Sequence, residues 1–248
     1  MNKDQHDTLM WKEIFQQPQA IRDAIDRNFS ELQTIAKDVH QRKIKHLVFI
    51  GRGSSEHACF IAKYVAEIHT TLHVSMVQPS IFTLYHGKVD YSDALVVALS
   101  QSGGAKDVAK VLLACQEQGA LTVTLTNVKG SVLSDLGDYN LNNECGPELC
   151  VTATKSFMTQ FIFLVALINA IEPSKALTSF LNQADEAAKQ ALTLSDQIHK
   201  FTPMFASKDH MLIFGRGLGF AMGLEAELKI QETCTLDARC YATSDYVH

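Results

Sequence analysis

Apolar residues recur along this chain in two rhythms. Ile21, Ile25, Phe29, Leu32, Ile35 and Val39 stand three or four positions apart, the spacing of one helical face. They predict a long helix that opens at Pro18 and runs to about residue 41. A shorter amphipathic helix over residues 9–17 precedes it, with Trp11, Ile14 and Phe15 on one side. The second rhythm is the short unbroken run. Residues 46–50, 73–77, 94–99 and 121–126 are such runs and read as strands covered on both faces. Residues 55–70 and 104–118 read as helices between them, the latter turning Val108, Val111, Leu112 and Cys115 inward. Smaller pieces are a short helix at 80–86, a helical turn at 131–137 and a strand at 139–141. Residues 154–171 are apolar nearly all round, which predicts a helix at the centre or at an interface. Residues 175–201 read as one amphipathic connecting helix ended by Pro203. A strand at 210–214 and a helix near 218–235 follow.

Strands alternating with helices predict an α/β fold: a three-layer α-β-α sandwich, doubly wound around a mostly parallel five-stranded sheet. Part of the pattern occurs twice. His46-Leu47-Val48-Phe49-Ile50-Gly51-Arg52-Gly53 and His210-Met211-Leu212-Ile213-Phe214-Gly215-Arg216-Gly217 are both apolar runs ending in Gly-Arg-Gly, offset by 164 positions. A buried strand feeding a glycine turn, used twice, points to a duplicated unit whose second copy is truncated. The expected organisation is N-terminal helices over 1–45, a first α/β domain over 46–174, a connector over 175–204 and the start of a second domain over 205–248.

Composition narrows the class. Apolar residues make up 46% and charged residues 20% of the chain, an ordinary globular balance. The net charge of −5 argues against a nucleic-acid partner, because a phosphate backbone needs a basic face. The opening seven residues are polar and give no signal peptide, and the run from Phe161 to Ile168 is too short to span a membrane. None of the six cysteines forms a CxxC pair, and most have apolar neighbours, which predicts free thiols in a reducing, cytoplasmic setting. No Cys and His cluster has the spacing of metal ligands, so no metal is expected.

Two predicted strand ends carry small hydroxyl residues: Gly51-Arg52-Gly53-Ser54-Ser55 and Ser100-Gln101-Ser102-Gly103-Gly104. Small residues let backbone N–H groups approach an anion, serines add donors, and the helix after Gly104 points its positive end there. Such residues also serve simple tight turns, but two loops of this kind favour an anion site. Neither is a nucleotide fingerprint: Gly51-x-Gly53 lacks its third glycine, and no Gly-x-x-x-x-Gly-Lys-Ser/Thr occurs. A small phosphorylated metabolite fits better than ATP, GTP or NAD.

The set Ser100-Gln101-Ser102-Gly103, Thr154-Lys155-Ser156-Phe157 with Thr159-Gln160, and Gly215-Arg216-Gly217 followed by Glu225, Leu228-Lys229 and Glu232 resembles the sugar isomerase (SIS) family. Within it the chain is similar to the isomerase half of glucosamine-6-phosphate synthase, in order and approximate spacing, over most of residues 45–248. The resemblance implies paired SIS subdomains, a phosphosugar ligand, a homodimer and no cofactor. It implies that Ser55, Ser100, Gln101 and Ser102 hold the sugar phosphate and that Val151 gives the sugar a backbone contact. A threonine that normally completes the phosphate site is Ala105 here. The proton-transfer glutamate matches Glu232, and the ring-opening histidine sixteen residues later matches His248. A lysine near the family's C-terminus has no counterpart. Lys229 either orients Glu232 or lies on the surface. His57 and His86 read as structural or solvent-facing, with His86 a candidate for the sugar pocket.

The synthase's glutaminase domain has no likeness in this chain, whereas Met10-Trp11-Lys12-Glu13-Ile14 with Gln16-Gln17-Pro18 resembles the start of stand-alone SIS proteins. The resemblance therefore implies a glucosamine-6-phosphate deaminase that yields fructose 6-phosphate and ammonia. The alternatives are a deglycase or isomerase on another amino-sugar phosphate, and a sugar-phosphate sensor without turnover.

Overall fold

Five parallel strands form the main sheet, and their order explains where a ligand fits. The computed structural model describes residues 8–247. The chain opens with α1 (Leu9–Phe15) and α2 (Gln17–Gln41), then alternates β1 (His46–Ile50), α3 (Ser54–His69), β2 (His73–Met76), the single turn α4 (Ser80–Thr83), β3 (Ala94–Ser100), α5 (Lys106–Glu117), β4 (Leu121–Thr126) and β5 (Tyr139–Asn142). The strand order is β2-β1-β3-β4-β5, all pairs parallel. α6 (Lys155–Ile171) then returns across one face.

Both faces of the sheet are covered, so every residue of β3 and β4 is buried. Alternation along each strand sorts the side chains. Leu47 and Phe49, Leu95, Val97 and Leu99, and Leu121, Val123 and Leu125 pack on α2, α3 and α6. Val48 and Ile50 with Val96 and Ala98 pack on α5. The result is the three-layer α/β sandwich that the alternating pattern predicts. α6 is buried on nearly all sides because it is wedged between α2 and α3.

The connector differs from its expected form. Residues 175–205 are three helices, α7 (Lys175–Leu181), α8 (Ala184–Leu192) and α9 (Ser195–Phe205), not one. Breaks at 182–183 and 193–194 let Leu181, Ala184 and Ala188 meet Ile21 and Ile25, a direction that a straight helix does not take. Pro203 lies inside α9 instead of ending it. Near a helix C-terminus a proline forfeits one hydrogen bond, while its fixed φ is helical, so the turn closes at Ala206 N–H on the Thr202 carbonyl. The segment at 131–137 forms turns but no helix, and the helix expected at 80–86 shrinks to α4.

Beyond the connector lie β6 (His210–Gly215), α10 (Leu218–Cys234), β7 (Asp237–Ala242) and α11 (Thr243–Val247). β7 is a strand that the hydrophobic pattern does not signal, since Asp-Ala-Arg-Cys-Tyr-Ala buries only Ala238. β6 pairs with it in parallel, His210 opposite Asp237, just as β1 pairs with β2, His46 opposite His73. The two glycine turns also share a backbone shape. Gly53 has φ 56° and ψ −131°, and Gly217 has φ 58° and ψ −128°. Side chains rarely adopt that region, which is why glycine stands at both positions.

Candidate functional site

β1 is followed by a helix on one face of the sheet and β3 by a helix on the other. The two loops therefore diverge, leaving a crevice at the strands' C-terminal ends. A cleft of about 450 Å³ occupies this place. Ser55, Ser100, Gln101, Ser102 and Val151 all line it. Ser55 and Ser100 are buried, whereas Ser102 and Val151 are exposed.

Hydroxyl and amide groups of the two loops converge on the cleft. Neither α3 nor α5 has a cap from the side chain of its N-cap residue, and in the first turn of α5 the Val108 N–H is taken by Asp107 Oδ1 at 3.0 Å. Ser100 Oγ accepts the Gly103 N–H at 3.1 Å and Ser102 Oγ accepts the Gly104 N–H at 3.3 Å. Each hydroxyl thus keeps its own hydrogen to donate outward. Gly103 holds the loop's reversal at φ +64°, and a Cβ there would stand 1.8 Å from Ser131 Oγ. Arg52 reaches across the mouth to Asp107 in the first turn of α5, at 2.5 Å. Ala105 lines the cleft without offering a hydroxyl.

α10 closes the other side, bringing Lys229 and Glu232 into the cleft. Lys229 Nζ donates to Glu232 Oε2 at 2.7 Å and to Ser54 Oγ at 3.0 Å, and lies 3.4 Å from Glu225 Oε1. Of the two readings of Lys229, the structure supports the one in which it orients Glu232. Glu225 is 5% exposed; its other oxygen meets His57 Nδ1 at 2.7 Å. A line of polar groups, His57–Glu225–Lys229–Glu232, so joins α3 to α10. His57 is a member of that line, not a solvent-facing residue, whereas His86 is exposed and does not line the cleft. His248 lies outside the described residues.

Arg52, Ser54 and Glu225 stand in the motifs quoted from the sequence, which gave none of them a role of its own. Their signal was present for Glu225, which shares a helical face with Lys229 and Glu232 at positions i, i+4 and i+7. Among the described residues no group of three His, Cys, Asp or Glu side chains converges to hold a metal. No helix among them is long and apolar enough to cross a membrane.

The profile of the SIS domain matches residues 41–170, more than half of the chain. The chain belongs to the SIS domain family. This SIS protein is 31% identical over 241 residues to the isomerizing glutamine–fructose-6-phosphate aminotransferase of Aquifex aeolicus, a match covering 97% of the chain and 40% of the relative. The chain thus spans about two fifths of the length of the curated relatives it matches. It superposes on the C-terminal domain of glucosamine-fructose-6-phosphate aminotransferase from Francisella tularensis with a TM-score of 0.82 and 26% identity, covering 100% of this chain and 73% of that one. The SIS protein is therefore homologous to the isomerase domain of that enzyme. It also shares its fold with tagatose-6-phosphate ketose/aldose isomerase from Escherichia coli, at TM-score 0.79 and 18% identity, over 98% of this chain and 69% of that one.

Proposed function

We propose that the cleft binds a hexose 6-phosphate and that the protein deaminates glucosamine 6-phosphate, releasing fructose 6-phosphate and ammonia. One observation carries this reading. Lys229 bonds both Glu232 and Ser54, so an ionisable carboxylate and an anion cradle share one cleft. The names of the curated relatives, which include fructose 6-phosphate and isomerization, support the same substrate class.

In this mechanism Ser55, Ser100, Gln101 and Ser102 hold the phosphate, with the first-turn amides of α3 and α5 behind them. The backbone at Val151 bounds the sugar. His248 moves a proton to the ring oxygen and opens the ring. Glu232 takes the proton from C2 of the open-chain aldehyde, giving an enolamine, and returns it to C1. The resulting C2 imine is hydrolysed by water to the ketose and ammonia. Lys229 holds the Glu232 carboxylate toward the Ser54 side of the cleft. No cofactor enters. A homodimer belongs to the same reading on the family resemblance, and the six unpaired cysteines support a cytoplasmic setting.

The test is ammonia release from glucosamine 6-phosphate, with Glu232→Gln beside the wild type. Loss of a general base lowers kcat by about 10²- to 10⁴-fold. Isomerisation without ammonia would replace the deaminase with a ketose/aldose isomerase. Tight binding of fructose 6-phosphate without turnover would leave a sensor. An unaffected Glu232→Gln variant removes Glu232 from the mechanism.

A further inference from the structure

α1 buries the wrong kind of residue for a surface helix. Its Leu9 and Phe15 are half exposed, while Glu13 is 4% exposed and is the helix's buried residue. A carboxylate leaves water only where donors replace it. Here the donors are backbone amides: Leu149 N–H lies 2.5 Å from Glu13 Oε1, and Cys150 N–H lies 3.4 and 3.3 Å from the two oxygens. One turn further on, Gln16 Oε1 accepts the ammonium of Lys155, itself 2% exposed, at 2.5 Å. α1 and its C-cap thus grip both ends of the segment 149–155. Val151 lies between the two grips, its side chain wholly in solvent, on the rim of the cleft. Just before the segment, Glu148 Oε1 accepts the Thr154 and Ser156 N–H groups at 3.0 and 3.1 Å, which fixes the start of α6 but not residues 149–151.

We propose that Glu13 is a positioning residue: its carboxylate sets the backbone of Leu149–Val151 so that the cleft's rim is preformed for the sugar phosphate. The ligand half of this proposal rests on reading the cleft as a hexose-phosphate site; the loop half does not. Glu13 acts through the loop, since it does not line the cleft.

Amide hydrogen exchange and fructose 6-phosphate titration calorimetry on the full chain test both halves, in wild type, Glu13→Ala and Glu13→Gln. Losing a hydrogen bond to a charged acceptor should speed exchange at 149–151 by about tenfold or more in Glu13→Ala, with β3 and β4 unchanged. The dissociation constant should rise about tenfold in step, because the loop must then be ordered by the ligand. Glu13→Gln keeps one acceptor oxygen and should fall between; it also serves if Glu13→Ala does not fold. Unchanged exchange at 149–151 overturns the proposal. So does faster exchange with unchanged affinity. If the wild type binds no hexose phosphate, the proposed function fails, and the exchange comparison still decides whether Glu13 sets the loop.

Discussion

The bond between His57 and Glu225 gives a quantitative test of how the two parts of the chain are joined. Glu225 on α10 has a side chain 6% exposed, and His57 on α3 one 21% exposed, so solvent screens their 2.7 Å contact little. A hydrogen bond to a charged acceptor in such surroundings contributes about 1.5–3 kcal/mol. Removing the carboxylate alone, in Glu225→Ala, should cost about 3 kcal/mol, the low end for breaking a buried charged set. The low end applies because Lys229 keeps Glu232 as a partner. α10 also rests on α3 through Ala221 against Ala58 and Ile61, so the helix stays docked and a folded variant is expected. The measurement is a double-mutant cycle with His57→Ala, Glu225→Ala and the double variant, each unfolded in urea and followed by circular dichroism. A coupling energy of at least about 1.5 kcal/mol is expected. A coupling below about 0.5 kcal/mol, the level at which independent sites add, refutes the argument that this pair ties α10 to α3.

Two further outcomes follow from the geometry. Gly103→Ala must place a side chain at φ +64° and 1.8 Å from Ser131 Oγ; the backbone term alone costs about 1–2 kcal/mol. It should lower the thermal midpoint by several degrees and abolish hexose-phosphate binding, and an unchanged midpoint contradicts it. Burial pushes the thiols of Cys59, Cys115 and Cys145 above their ordinary 9.0, Cys115 to about 11 and Cys145 to about 12. The native state then keeps protons that the unfolded chain releases. Their contribution is intact below pH 9.0 and declines as pH rises toward 11 and 12. Thermal midpoints that rise across that window, or immediate labelling of these three thiols by a disulfide reagent at pH 8 in the native protein, count against it.

Periodicity alone located β1, β3, β4, α2 and α6, because these elements bury long stretches and their composition has to match two covered faces. The glycine- and serine-rich loops were legible for a related reason: tight turns at strand ends restrict the residue types themselves. β7 was not legible, because a strand with one open face and mixed polar residues has no periodic signature. The breaks between α7, α8 and α9 were equally silent, as they answer to where Ile21 and Ile25 lie and not to any local helix breaker.

What the sequence determined by itself was the main strands and helices of the first sheet, their parallel winding and the small hydroxyl residues at two strand ends. Those follow from local spacing and residue type. Only the tertiary structure decided that Glu225 meets His57 and Lys229 meets Ser54 across 168 and 175 positions of chain, with Glu232 in the same cleft, since no local preference encodes which helix docks on which. It likewise turned Glu13 from one polar residue of an amphipathic helix into the buried acceptor of a distant loop. The physical reason is that a carboxylate's role depends on the donors placed around it, and those donors lie 136 and 137 residues away.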